Sequence, residues 1–265
     1  MTQNASINVS VSNHYRKPIY DSEIISQGLL GERVEIIEQK QIFTRIRQSD
    51  DYISWVSSDQ VVEGDVANGT SLLVTSHFMK IHKEPSSGSE CIRDGVIGCR
   101  LQGVGERDGW YRVVLPDRLE GWSQKKHFGS FGELSPVRIV ALAREFLGYQ
   151  YLWGGRSPKG FDCSGFVQTV FGLYGVTLPR DSWQQQRLNL ISTDFRTAQP
   201  GDLLFFAKTP KRVTHVAIAL DNQRFIHASG WVRYNSLRQA DDDFSRDHLK
   251  TFVSVNRYPA QGTNP

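Results

Sequence analysis

Cysteine is scarce in this 265-residue chain, which has three: Cys91, Cys99 and Cys163. An odd count is a poor disulfide framework. Cys91 and Cys99 lack Cys-x-x-Cys spacing and nearby histidines, so they do not read as zinc ligands, and no metal or cofactor is expected. They can pair across a hairpin only in an oxidising compartment; in a reducing one they read as small core or surface thiols. Long apolar runs are missing too, which excludes a helical membrane span. Residues Met1 to Val9 carry neither a basic stretch nor an apolar one. If Met1 is the native start, that absence leads to the expectation of a cytoplasmic protein; a trimmed chain would erase it. An excess of one charge is also absent. The 31 basic and 28 acidic residues are interspersed and leave a net +3, too balanced for a surface that tracks phosphates, so nucleic acid is not an expected partner.

What is present is a globular composition, 39% hydrophobic, on a length that predicts two or three domains. From Ile7 to Val62 the chain alternates in short segments: Ile7-Asn8-Val9-Ser10-Val11, Arg33-Val34-Glu35-Ile36-Ile37, Phe43-Thr44-Arg45-Ile46-Arg47 and Ile53-Ser54-Trp55-Val56. Period-two alternation broken by Gly31 and Asp50-Asp51 predicts a small all-β barrel. After a polar break near Asp65, the stretch from Leu72 to about Phe131 reads the same way. Each half ends in a tryptophan and a polar turn, Trp55-Val56-Ser57-Ser58 and Trp122-Ser123-Gln124-Lys125, the mark of a diverged duplication. The expected domains are 1–65, 66–132 and 133–265.

The pattern changes after Gly132. Ser135-Pro136 is a helix start, with Ser as N-cap and Pro in the first helical position; Val137, Val140, Ala141, Arg144 and Phe146-Leu147 continue the helix until Gly148. A loop rich in Gly and aromatics follows. A second helix is predicted from Cys163 to Tyr174, with Phe166, Val167, Val170, Phe171 and Tyr174 on its buried side and Gly175 at its end. Asp181 or Ser182 caps a third, short helix through Trp183 to Leu188. The segments Leu203 to Phe206, Thr214 to Leu220, Phe225 to Ala228 and Phe252 to Val255 then read as an antiparallel sheet. Helices followed by such a sheet make an α+β domain.

The chemistry points to Cys163. A cysteine is a nucleophile as the thiolate, and a helix N-terminus or an imidazolium neighbour lowers its pKa. Cys163 has the first by position. His215 and His227 lie on consecutive strands, each six residues from Asp221 in the turn, so a hairpin sets them roughly opposite and on one face. His227 would then orient His215, as the third member of a nucleophile, base and orienter set. Taken singly, each of the three also reads as a buried thiol or a satisfied sheet histidine.

Six segments carry a resemblance: Tyr151-Leu152-Trp153-Gly154-Gly155, Phe161-Asp162-Cys163-Ser164-Gly165-Phe166-Val167, Leu178-Pro179-Arg180-Asp181-Ser182, Pro200-Gly201-Asp202-Leu203, Thr214-His215-Val216-Ala217 and Phe225-Ile226-His227-Ala228. In order and spacing they are similar to the NlpC-type cell-wall cysteine peptidases, over nearly the whole C-terminal domain. The two preceding barrels resemble bacterial SH3-like domains. The implied architecture is two small all-β SH3-like barrels followed by an α+β papain-like cysteine peptidase domain.

The resemblance implies hydrolysis of γ-D-glutamyl bonds to a diamino acid in peptidoglycan stem peptides. It makes Cys163 the nucleophile, His215 the base and acid, His227 the orienter, and Tyr151 an oxyanion donor beside the backbone N–H of Cys163. Tyr151 also reads as amphipathic filler under its loop. Barrels ahead of such a domain resemble the γ-D-glutamyl-L-diamino-acid endopeptidases of muropeptide recycling, which implies a substrate with a free N-terminal L-Ala held at Asp181 beside Ser182. Asp181 equally reads as a plain N-cap; both roles coexist only if one oxygen serves each. Ser164 is implied at the D-Glu α-carboxylate, and Glu23 and Tyr52 of the first barrel at the closed end of the cleft, although polar loop residues need no such role. The expected partner is therefore a murein peptide. Two other readings remain: an acyltransferase using the same Cys/His chemistry, and a peptidoglycan-binding adaptor with a vestigial catalytic domain.

Overall fold

The computed structural model describes residues 3–64, 68–188, 190–209 and 212–258. The boundary expected at 65/66 falls outside the described residues. Contacts divide the chain into two compact units, Met1–Phe131 and Gly132–Pro265.

The first unit holds two antiparallel sheets. One contains strands Gln3–Ile7, Val11–Tyr15, Ile24–Leu29, Arg33–Lys40, Phe43–Arg47, Ile53–Ser57 and Val61–Glu63; the other Thr70–Leu73, Phe78–His82, Cys91–Val96, Arg100–Arg107, Trp110–Val114 and Glu120–Gln124. Counted from the first strand of each sheet, the order 3-2-6-5-4-1 occurs in both, and a 3₁₀ turn follows the sixth strand in each, Ser58–Gln60 and Lys125–His127. The duplication read from the tryptophans is thus a repeat of topology.

Ala5, Ile7, Val34, Ile36, Ile46 and Val56 fill the first barrel. Leu29 and Leu30 leave it to join Val74, Met79, Ile81, Val96 and Leu101 in the second. Each such fully buried aliphatic side chain contributes about 1.5–3 kcal/mol, so this shared core holds the barrels together. Gly31 sits at the junction with φ +81°, where a Cβ would lie 1.7 Å from the Arg100 carbonyl oxygen; only glycine fits. Arg93 bridges the barrels as well, donating to the Asn8 carbonyl at 2.6 Å and to Asp117 at 2.8 Å. Cys91 is exposed and Cys99 buried, and neither is bridged.

In the second unit, α1 (Pro136–Glu145) starts as expected, with Ser135 Oγ accepting the Arg138 N–H. Its buried face is Ile139, Val140, Leu142 and Ala143, whereas Val137 is 77% exposed. α2 (Cys163–Gly172) ends two residues short of the expected Tyr174, and Gly175 takes the left-handed φ of +83° after the closing turn. α3 spans Ser182–Gln186. The sheet contains β1 (Leu190–Ser192), β2 (Leu203–Phe206), β3 (His215–Ala219), β4 (Arg224–Ser229), β5 (Trp231–Ser236) and β6 (Phe252–Asn256), in the order β1-β6-β2-β3-β4-β5. α4 (Arg246–Thr251) precedes β6. The sequence pattern marked neither β5 nor α4. α2 is buried along nearly its whole length and packs against β3 and β4, which puts its first turn next to the sheet.

Candidate active site

Asp162 organises the entry to α2. As N-cap it accepts the Gly165 N–H at 2.7 Å, and its second oxygen accepts the Gly154 N–H at 3.0 Å. Both oxygens also pair with Arg180, at 3.1 and 2.5 Å, and the Arg180 side chain is only 2% exposed. The glycine-rich approach loop lies directly on this turn. A Cβ on Gly165 would fall 2.0 Å from the Gly155 carbonyl oxygen. Loop, cap and Arg180 therefore set where the first residue of α2 stands, and that residue is Cys163.

The Cys163 thiol is buried. Burial pushes it up to about 12; the adjacent Asp162 carboxylate adds to this, while N–H bonds from Val216 and Ser164 and the Arg180 charge oppose it. The lowering expected from the helix position is outweighed by burial. Val216 is the residue after His215, so the sulfur lies against the start of β3. Tyr151 is held above its ordinary value by burial and by the neighbouring thiol and Asp162. It keeps its proton and stands beside Cys163 as an O–H donor.

His215 and His227 are joined, His215 Nε2 to His227 Nδ1 at 2.6 Å. The register corrects the expected pairing. Ile218 faces Ile226 and Ala219 faces Phe225, and the same register carried along the strands sets His227 against Ala217. The histidines are diagonal neighbours on one face, within reach for ring side chains. The turn is centred one residue later than the symmetric count about Asp221 required.

The hydrogen-bond network assigns the protons. Asn235 Nδ2 donates to the Asp243 carbonyl at 2.9 Å, so its Oδ1 accepts, at 2.9 Å, from His227 Nε2–H. His227 is fully buried and held neutral, its pKa pulled down to about 3 by burial and by His248. Its Nδ1 is then bare and accepts from His215 Nε2–H. Burial, His227 and His248, with Lys208 and Arg233, hold His215 well below 6.5. A neutral His215 protonated at Nε2 carries its lone pair on Nδ1. Burial thus favours the neutral forms of the thiol and of both imidazoles. Burial disfavours the imidazolium neighbour foreseen for Cys163.

The other expected residues divide. The Ser164 hydroxyl is buried, donating to Asp162 at 3.2 Å and accepting from Arg180 at 2.9 Å, so its donor is committed to the cap. Asp181 is the N-cap residue of α3, with its own N–H on Gln184 Oε1 at 3.0 Å. Its Oδ2 accepts the Trp183 indole N–H at 3.0 Å and faces Arg212 at 3.6 Å. An ammonium arriving there shares the carboxylate with Arg212. Ser182 is buried at the first position of α3. In the first unit, Glu23 pairs with Arg16 at 2.6 Å and the Tyr52 N–H bonds to Asp50 at 3.1 Å.

Four residues were not singled out from sequence: Asp162, Arg180, Asn235 and His248. The first two stand inside the quoted segments, Asp162 directly before the cysteine and Arg180 between Pro179 and Asp181. Asn235 and His248 lie on β5 and α4, where no periodic pattern pointed. The His248 ring packs edge-on against His227, with centroids 4.9 Å apart.

The model of the NlpC/P60 family matches residues 148–251, and that of the bacterial dipeptidyl-peptidase SH3 domain matches residues 14–61. A γ-D-glutamyl-L-lysine dipeptidyl-peptidase of Bacillus cereus is 29% identical over 78% of this chain and 68% of its own length. Dipeptidyl-peptidase 6 of Lysinibacillus sphaericus is 27% identical over 95% of this chain and 98% of its own. The crystal structure of an NlpC/P60 family protein from Bacillus cereus has the same fold, with a TM-score of 0.83 at 23% identity over 96% of this chain and 99% of that one.

Proposed function

We propose, from the premise that its NlpC/P60 domain makes this chain a cysteine peptidase of that family, that it hydrolyses the γ-D-glutamyl bond to a diamino acid in murein peptides with a free N-terminal L-Ala. The observation that carries the reading is the proton order from Asn235 through His227 to His215, ending in a bare Nδ1 on the strand that meets the Cys163 thiol. The names of the two dipeptidyl-peptidase relatives support the bond and the free end of the substrate.

In this mechanism Cys163 Sγ attacks the γ-carbonyl carbon as His215 Nδ1 takes the thiol proton. The oxyanion forms at the Cys163 N–H, a first-turn donor that a helix leaves without an i−4 acceptor, and at the Tyr151 O–H; each such donor is worth about 2.7–4 kcal/mol. His215 then returns its proton to the leaving amine. Water, deprotonated by His215, releases the acyl group from sulfur. His227 accepts the His215 Nε2–H throughout and holds the ring without adding a negative charge. A role in recycling wall peptides follows from a substrate already cut free at its N-terminus. Cys163→Ala should abolish release of the diamino acid from L-Ala-γ-D-Glu-diaminopimelate or its lysine counterpart while the circular dichroism spectrum is unchanged; undiminished release by the variant would sink the proposal.

A further inference from the structure

We propose that His215, His227 and His248 form a binding site for one divalent transition-metal ion of the Zn²⁺ class, and that the seated ion silences the peptidase. One ring nitrogen from each histidine lies within 4.8 Å of the other two, and the three rings pack with centroids 4.9 to 5.4 Å apart. They come from β3, β4 and α4, so only the folded domain assembles them.

The nitrogens on the far side of two rings are already held by oxygens: His227 Nε2 by Asn235 Oδ1 at 2.9 Å and His248 Nδ1 by Ser245 Oγ at 2.6 Å. Such outer partners orient metal-bound imidazoles and raise their basicity. His227 Nδ1 and His248 Nε2 are left for the metal, with His215 Nε2 as the third donor. Phe206 and Phe225 wall the cluster, with centroids 4.9 and 5.3 Å from His248, and restrict how far the rings can turn away.

Three imidazole nitrogens and no oxygen select Zn²⁺, Ni²⁺ or Cu²⁺ over Ca²⁺ and Mg²⁺. Zn–N bonds of about 2.0–2.1 Å at tetrahedral angles space the donors about 3.3 Å apart. The 2.6 Å His215–His227 pair then opens by roughly 0.7 Å, and His248 closes by at most roughly 1.5 Å. Both are side-chain movements. A fourth position remains for water, as in open zinc sites.

The metal takes the place of the proton between His215 and His227, and that proton moves to His215 Nδ1, where it occupies the lone pair the base needs. The seated ion therefore breaks the contact that orders the base, and turnover stops. This consequence rests on the function proposed above; metal binding itself does not.

The test uses the full chain carrying Cys163→Ala, which removes the thiol as a ligand and keeps all three histidines. Calorimetric titration with ZnCl₂ should show one tight equivalent, and Co²⁺ should give the intense visible absorption of a tetrahedral nitrogen site. Zn²⁺ should also raise the melting temperature of this protein, since it binds only the folded form. Adding His248→Phe, which keeps a ring against Phe206 and Phe225, should weaken the site about 10- to 100-fold and remove the thermal shift. No uptake by the Cys163→Ala protein, or equal affinity after His248→Phe, overturns the site. In the wild type, Zn²⁺ should inhibit and a chelator restore the rate; tight binding with unchanged turnover overturns the silencing.

Discussion

In the proposed mechanism Asn235 decides which nitrogen of His215 is the base, although it lies two hydrogen bonds from that ring. Its amide is pinned by the Asp243 carbonyl, so only its oxygen faces His227. Replacing it by leucine removes that acceptor and frees His227 to carry its proton on Nδ1, where it opposes the His215 Nε2–H. Asn235→Leu should lower kcat about 10²-fold, the low end of what a positioned acid–base group contributes, with KM little changed. Asn235→Asp restores an acceptor and should recover much of the loss. Steady-state kinetics of the two variants check this; a loss confined to KM, or no recovery with aspartate, rules out the positioning role. Cys163, His215, His227 and Tyr151 were legible as residue types in quoted segments. The direction of the proton chain was not, because it depends on a strand that pairs with β4 without any sequence mark.

The element that matters most is α2, and its position depends on a buried ion pair. Arg180 spends its charge on Asp162 inside the domain, with its side chain 2% exposed, and so neutralises the carboxylate that caps the helix. Removing one partner leaves the other charge buried and unpaired. Arg180→Met should therefore cost about 3–5 kcal/mol of stability, read as a lower urea midpoint, and should loosen the first turn that carries Cys163. An unchanged midpoint would mean that water replaces the guanidinium and the cap stands alone. The sequence marked this helix from its apolar spacing, a local signal, without singling out its cap. It did not mark α4, a six-residue helix with Leu249 as its one large apolar residue, because so short a segment lacks a period; packing against the sheet forms it.

At the scale of the molecule, the catalytic unit gathers three histidines that it keeps uncharged. His227 and His248 are pulled down to about 3 and about 4, chiefly by burial, and His215 well below 6.5. In the unfolded chain each titrates near 6.5, so between that pH and about 4 the unfolded state binds more protons than the folded one. Stability then rises with pH across this window and falls on acidification. Ordinary carboxylates stay ionised down to about pH 5 and do not mask the effect. The urea midpoint of the full chain should be lower at pH 5 than at pH 7; an equal or higher midpoint at pH 5 contradicts the neutral cluster.

The sequence by itself determined the two β barrels, the change to an α+β domain after Gly132, the cysteine at a helix start and the paired histidines. Strand alternation, capping and segment spacing are written in neighbouring residues. Only the tertiary structure decided the protonation of the thiol and the imidazoles, the commitment of Ser164 to a cap, the sharing of Asp181 with Trp183 and Arg212, and the arrival of Asn235 and His248 at the site. Each of these depends on desolvation or on contacts between residues distant in the chain, and local periodicity carries no information about either.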